Sequence, residues 1–222
     1  MNNIITIDGL ACSGKSSIAR SLAHLLNLPH IDTGEIYRTI ALEAIEKEIS
    51  LKNSSALAKL ALELRNINQS KIIHSEQIAR AASKISIFPE LRINLLQFQR
   101  NLVFKTKLNA VVNGRDAGTI VFPNAKYKFF IIASIEERVW RKYLEDKTNK
   151  FKKINLKTIA KIFHELNTRD KRDQNRKTAP MVPAHDAIII DTTFKSVKQI
   201  VQQIQKIIMG KKFEITSKPK SN

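Results

Sequence analysis

An α/β fold built on a five-stranded parallel sheet is the class this sequence predicts, and three observations predict it. Five short apolar runs punctuate the chain: "NIITID" (3–8), "PHID" (29–32), "NAVVNG" (109–114), "YKFFIIAS" (127–134) and "DAIIIDTT" (186–193). Stretches with helical periodicity separate them, which is how parallel strands covered on both faces read in sequence. Three of the runs end in acidic or small polar residues and a turn, "DTG", "NGRDAG" and "DTT". In open α/β sheets, ligands bind beyond the carboxyl ends of the strands, so these turns should gather around one site. With 222 residues, 43% of them hydrophobic, the chain is long enough for one such domain with a full core.

The first run breaks at Gly9, turns through small residues and resumes as a helix. The turn "GLACSGKS" fits G-x-x-x-x-G-K-[ST] at Gly9, Gly14, Lys15 and Ser16, the pattern of a phosphate-binding loop. Its glycines let backbone N–H groups converge on phosphate oxygens, its lysine reaches the terminal phosphates, and Ser16 offers a hydroxyl to Mg²⁺. The helix that follows adds the positive end of its dipole. "SIARSLAHLL" places Ile18, Leu22, Leu25 and Leu26 on one apolar face. Cys12, the only cysteine, lies inside this loop; it reads as a small residue tolerated in a turn or as a reactive thiol.

The second run leads into "DTGEIYR". Asp32 at the strand end can order Mg²⁺ through water, and Thr33 and Arg38 can hold a second phosphate. Alternatively Asp32 and Thr33 cap a helix beginning near Glu35. Arg38 is harder to assign to capping, because a cation near a helix N-terminus opposes the dipole. After the third run, "NGRDAGT" sets Arg115 and Asp116 near the loop, either as a structural ion pair or as a cation for phosphate beside a carboxylate for the acceptor.

Two connections are too long for simple crossovers, residues 39–108 and 135–185. The first carries the helical patterns "TIALEAIEKEI", "SALAKLALELRNI" and "FPELRINLLQFQRNLVFK". The second contains "RDKRDQNR", in which Arg169, Asp173 and Arg176 share a helical face while Arg172 projects elsewhere. That run is a solvated face or an arginine-bearing lid. A lid suits phosphoryl transfer, which depends on positioning and charge neutralisation and on excluding water. "SVKQIVQQIQKIIM" reads as a closing amphipathic helix followed by a charged tail.

The net charge is +18, with 38 basic and 20 acidic side chains. It is uneven: residues 141–177 carry 13 basic against 5 acidic side chains. Of the basic residues 26 are lysines, scattered without interleaved aromatics, so specific nucleic-acid binding is not expected. No apolar run approaches the roughly 18 residues of a membrane span, and no secretion signal precedes the first strand. A cytoplasmic protein is expected.

The chain resembles the bacterial cytidylate kinases, a branch of the nucleoside-monophosphate kinases in the P-loop kinase superfamily. The resemblance runs to about residue 205 through "ITIDGLACSGKSS", "DTGEIYR", "SKISIFPELR", "NGRDAGTIVFP", "ASIEERVWRKY" and "RDKRDQNRKTAPMVPAHDAIIIDTT", in the family's order. It implies a P-loop kinase core (1–38, 109–140 and 178–210), a monophosphate-binding insert (39–108), a helical lid (141–177) and a tail (211–222). It also implies phosphorylation of CMP and dCMP by ATP with Mg²⁺, in a monomer that binds neither membrane nor specific nucleic acid.

Residue by residue, the resemblance implies that Gly9, Leu10, Ala11, Cys12, Ser13, Gly14, Lys15, Ser16 and Ser17 wrap the ATP phosphates. Arg38, Arg115 and Arg176 would neutralise the monophosphate and the transferring group, with Thr33 near the same phosphate. Ser83, Arg92 and Asp116 match positions at the cytosine edge, and Arg169 and Asp173 positions at the ribose. The catalytic set is Lys15, Arg115, Arg172 and Arg176, with Ser16 and, through water, Asp32 at the metal. The sequence departs from the family where the loop ends "GKSS" rather than "GKGT", with Cys12 at a frequent glycine. The insert also looks shortened where a small β-sheet is usual.

Overall fold

The computed structural model describes residues 3–68, 70–145 and 154–210. The tail and part of the lid segment therefore lie outside the described residues. All five apolar runs form strands: β1 (Ile5–Gly9), β2 (His30–Asp32), β3 (Val111–Asn113), β4 (Tyr127–Ile132) and β5 (Ile188–Asp191). They make one parallel sheet in the order β2-β3-β1-β4-β5. β1, entirely buried, is central. Every strand points its carboxyl end the same way, so the turns after β1, β2 and β3 converge.

The described residues form eight α-helices: α1 (Lys15–Leu26), α2 (Thr33–Glu46), α3 (Ser54–Glu63), α4 (Glu76–Ile85), α5 (Pro89–Phe104), α6 (Ile135–Glu145), α7 (Leu156–Asn175) and α8 (Val197–Ile208). Ile5, Ile7, Phe129 and Ile131 of the sheet pack with Ile18 and Leu22 of α1 and Ile200 and Ile204 of α8. On the other face Val112 meets Val103 of α5 and Ala117 and Val121 of a short π-helical turn, Ala117–Val121. The expected apolar face of α1 needs one correction. Ile18 and Leu22 are buried, but Leu25 is 47% exposed, and Ala19 and Ala23 complete the face instead.

The region 39–108 has a core of its own, in which Ile36 and Ile40 of α2 meet Leu57 and Leu60 of α3, Ile78 and Ile85 of α4, and Leu91 and Leu95 of α5. Among its described residues there are only helices and a 3₁₀ turn, Lys71–His74. Capping sets their ends: Asn53, Ser75 and Asn155 each accept an amide hydrogen bond at the start of α3, α4 and α7. Ser196 and Gln199 form a reciprocal capping box on α8. α2 begins two residues before the expected Glu35, at Thr33, because the Asp32 carboxylate accepts from the Gly34 amide.

Candidate active site

The loop after β1 owes its path to residues that tolerate unusual backbone. Gly9 has φ +146°, and a Cβ there would lie 2.1 Å from the Ile131 carbonyl oxygen. Gly14 caps α1 at φ 87°. Cys12 occupies left-handed backbone at φ 57°, which explains why glycine is usual at its position and why cysteine there is strained. Burial pushes the Cys12 thiol up, which favours the inert reading over a reactive thiolate. Ser13 Oγ and Lys15 Nζ both donate to the Leu10 carbonyl, at 2.9 and 3.2 Å.

Sequence reasoning missed the residues that brace this loop. Arg141 of α6 donates to the Ser13 carbonyl at 3.1 Å and to the Thr192 carbonyl at 2.6 Å. Arg138 of α6 donates to the Ala11 carbonyl at 3.1 Å and pairs with Asp170 of α7. Asp170 in turn accepts from the Ala11 amide at 3.0 Å. Both backbone polar groups of Ala11 are thus held by a buried ion pair. The available signal was a helix, "EERVWRKY", whose arginines fall one turn apart beside its apolar residues.

Beyond the loop lies a cleft of about 570 Å³. It is lined by Cys12, Gly14, Lys15, Ser16 and Ser17 of the loop and by Asp32, Thr33 and Arg38 after β2. Ser83 and Arg92 come from α4 and α5, Arg115 and Asp116 from the turn after β3, and Arg169, Arg172, Asp173 and Arg176 from α7 and its end. Of the residues singled out from sequence, only Gly9, Leu10, Ala11 and Ser13 stand behind its wall. The cleft also includes Arg20, Tyr37, His74 and Arg80, which the sequence reading did not single out.

Cations crowd the donor end. Lys15, 8% exposed, has its pKa lowered to about 7 by burial and then by Arg115 and Arg169, against the opposing pull of Asp32. Burial lowers Arg169 to about 10, and its Nε has no hydrogen-bond partner. One Asp32 oxygen caps α2, as the capping alternative expected, and the other accepts from Ser16 Oγ at 3.3 Å. Burial pushes this carboxyl up, but the Asn113 amide, Arg38, Lys15 and the Gly34 N–H hold it below its usual range. An ionised carboxylate beside a hydroxyl is a hard oxygen pair suited to Mg²⁺. Among the described residues no cluster of three or more His, Cys, Asp or Glu forms, so the remaining ligands of such an ion would be phosphates and water.

At the acceptor end the neighbours Arg115 and Asp116 take different partners. Arg115 Nε donates to Asp173 at 3.1 Å. Asp116 accepts from Arg92 at 2.5 Å and from Arg176 at 3.3 Å. The Arg92 guanidinium lies 5.3 Å from the Tyr37 ring centre. Arg38 meets His74 at 3.3 Å. The Thr33 hydroxyl donates to the Asn113 carbonyl at 3.0 Å, so as placed it presents lone pairs and no donor to the cleft.

Two expectations for the basic run are corrected. Arg176 does not share the helix with Arg169 and Asp173, because α7 ends at Asn175 and Arg176 is extended, at ψ 139°. The turn still returns it to Asp173 at 3.9 Å and to Asp116. Arg172 does not project away; its Nη1 donates to Ser83 Oγ at 2.9 Å, joining α7 to the insert. Arg80 of α4 makes a second link, to Glu165 of α7 at 2.8 Å.

A phosphate loop closing onto α1 from the central strand, opposite a wall of arginines, defines a P-loop kinase. The chain belongs to the cytidylate kinase family, whose family model matches residues 5–210. It is 38% identical over 219 residues to the cytidylate kinase of Pasteurella multocida (strain Pm70), covering 90% of this chain and 92% of that one. It is 39% identical over 215 residues to cytidylate kinase 1 of Haemophilus influenzae (strain Rd), covering 90% of each. Among solved structures, an uncharacterized protein from Eubacterium ventriosum shares the fold, with TM-score 0.55 and 18% identity over 95% of this chain and 99% of that one.

Proposed function

We propose that the chain transfers the γ-phosphoryl group of ATP to CMP, and to dCMP, by direct in-line displacement. The observation that carries this reading is the facing of the phosphate loop and the Arg92–Asp116–Arg176 cluster across one cleft. Two polyanions brought together there need many cations, and the cleft supplies them.

In this reading residues 9–17 cradle the ATP phosphates with backbone amides, and Lys15 follows the charge that moves onto the β–γ bridge. Arg38, Arg115 and Arg176 neutralise the CMP phosphate and the transferring group. Arg172 supports them from the lid, where its bond to Ser83 holds α7 against the insert. Asp116 accepts from the cytosine amino group, Arg92 donates to the ring acceptors, and Ser83 adapts to either role. Arg169 and Asp173 address the ribose. Thr33 acts near the acceptor phosphate after rotating its hydroxyl from Asn113. No general base is needed, because a phosphate monoester oxygen is already nucleophilic at neutral pH. Ser16 and, through water, Asp32 would hold Mg²⁺, which supplies charge neutralisation on the phosphates.

The division of labour follows the same proposal: a core of residues 1–38, 109–140 and 178–210, an insert of 39–108 and a lid of 141–177. α6 runs across the first lid boundary. No helix among the described residues is long and apolar enough to cross a membrane, and a monomer working in the cytoplasm is part of the proposal. Coupled ADP release over CMP, dCMP, UMP, AMP and shikimate tests it. CMP and dCMP should be the preferred acceptors; preference for another acceptor would overturn the assignment.

A further inference from the structure

β1 sends its side chains alternately to the two faces of the sheet. Ile5 and Ile7 pack towards α1 and α8, so Thr6 and Asp8 face the turn after β3. Asp8 immediately precedes the phosphate loop and is 5% exposed, and no role above uses it. Its Oδ1 accepts from the Ala117 amide at 2.9 Å and its Oδ2 from the Gly118 amide at 2.7 Å. These are the first two amides of the turn Ala117–Val121. The residue placed to cap that turn is Asp116, whose side chain makes no capping bond. Its oxygens are committed to Arg92 and Arg176. A carboxylate from the neighbouring strand does the capping instead.

The glycines of "NGRDAG" let the turn come this close. A Cβ on Gly118 would lie 2.7 Å from Thr6 Oγ1 and 3.4 Å from Asp8 Oδ2, and one on Gly114 would lie 3.4 Å from Asp8 Oδ1.

We propose that Asp8 is a positioning residue for the acceptor side of the cleft, capping the Ala117–Val121 turn so that Asp116 is free to face Arg92, Arg176 and the acceptor base. It acts from the strand that continues into Gly9, so the donor loop and the acceptor cluster take their register from one carboxylate. The inference rests on the acceptor reading proposed above.

Several groups face Asp8. Arg115 and Asp116 flank it from the turn. The Lys128 stem on β4 passes beside Gly118, with its ammonium held by Asp186 and the Pro123 carbonyl. The Lys15 ammonium on α1 is held at Leu10. Burial raises the Asp8 pKa to about 6, against the lowering effect of the Gly118 and Ala117 amides; Asp116 raises it further and Arg115 lowers it. Protonation removes the negative charge from the acceptor of both amide bonds and so weakens them.

The test compares wild type with Asp8→Asn in CMP and ATP kinetics between pH 5.5 and 8. At pH 7.5 the variant should raise KM for CMP about tenfold, as loss of a charge-assisted hydrogen bond implies, and leave ATP affinity within about twofold. The CMP phosphate itself titrates near pH 6, but equally for both proteins. The ratio of their KM values therefore isolates Asp8, and it should fall towards one as the pH drops below 6.

Melting gives a readout independent of the reaction. A carboxyl whose folded pKa is raised contributes stability below its unfolded pKa and loses it as pH rises through the folded value. The variant's melting temperature relative to wild type should thus climb from pH 5.5 to 7.5. Gly118→Ala, which crowds the turn without changing charge, should weaken CMP selectively and show no such pH-dependent melting difference. Equal losses for CMP and ATP in Asp8→Asn, or a KM ratio flat with pH, overturns the proposal. Failure of the wild type to phosphorylate CMP contradicts the functional reading, and is seen before any substitution is made.

Discussion

Lys15 shows how burial and neighbouring cations can poise a single residue. Burial and the neighbouring arginines hold its pKa at about 7, so at pH 8 most of the free protein carries a neutral amine. Phosphates beside it favour the ammonium. ATP binding at pH 8 should therefore take up about one proton, read as a dependence of calorimetric enthalpy on buffer ionisation. Lys15→Ala should abolish that uptake and cost about two decades or more in turnover. Retention of more than about a tenth of wild-type turnover at saturating ATP would remove Lys15 from the reaction.

Asp116 is the residue to which the proposed function gives base selectivity, at the same scale. Its oxygens accept from Arg92 and Arg176, and each keeps a lone pair for a cytosine amino group. Uracil offers a carbonyl there, and a mismatched buried polar group costs on the order of 1–3 kcal/mol. Asp116→Asn should narrow the CMP-to-UMP ratio of kcat/KM, chiefly by harming CMP, with ATP affinity little changed. Because two buried arginines lose an anion, the melting temperature should fall as well. An unchanged ratio would leave Asp116 as an ion-pair partner alone.

At the scale of elements, the strands were legible because a buried parallel strand must be an apolar run, and the loop because phosphate binding dictates its glycines. α7 was legible only in part. Spacing placed Arg169 and Asp173 on the cleft, but it extended the helix through Arg176 and turned Arg172 away. Helical period cannot show that the chain leaves the helix at Asn175, nor that the insert comes near enough for Arg172 to reach Ser83. Arg138, Asp170 and Arg141 escaped notice for a related reason. Charged residues in a helical run look solvated until a distant loop is seen to pack on them. Since Arg176 bridges the lid end and Asp116, Arg176→Ala should lower single-turnover transfer far more than ATP affinity. A large affinity loss with unchanged transfer would make it a nucleotide anchor.

Across the whole molecule the +18 charge raises the rival of a nucleotide-gated nucleic-acid binder. The cleft answers it in physical terms. Eleven basic against seven acidic side chains line one concave site, and the acidic ones are engaged in ion pairs or caps at Asp32, Glu76, Asp116, Glu165 and Asp173. That arrangement suits two small polyanions held end to end better than a continuous backbone tracked along a surface. The most direct measurement supplies ATP labelled at its γ-phosphate together with CMP and Mg²⁺ and follows the label. Transfer to the β-phosphate of CDP without nucleic acid is the expected result. Release of the label as inorganic phosphate, or turnover only when DNA or RNA is added, would contradict the account.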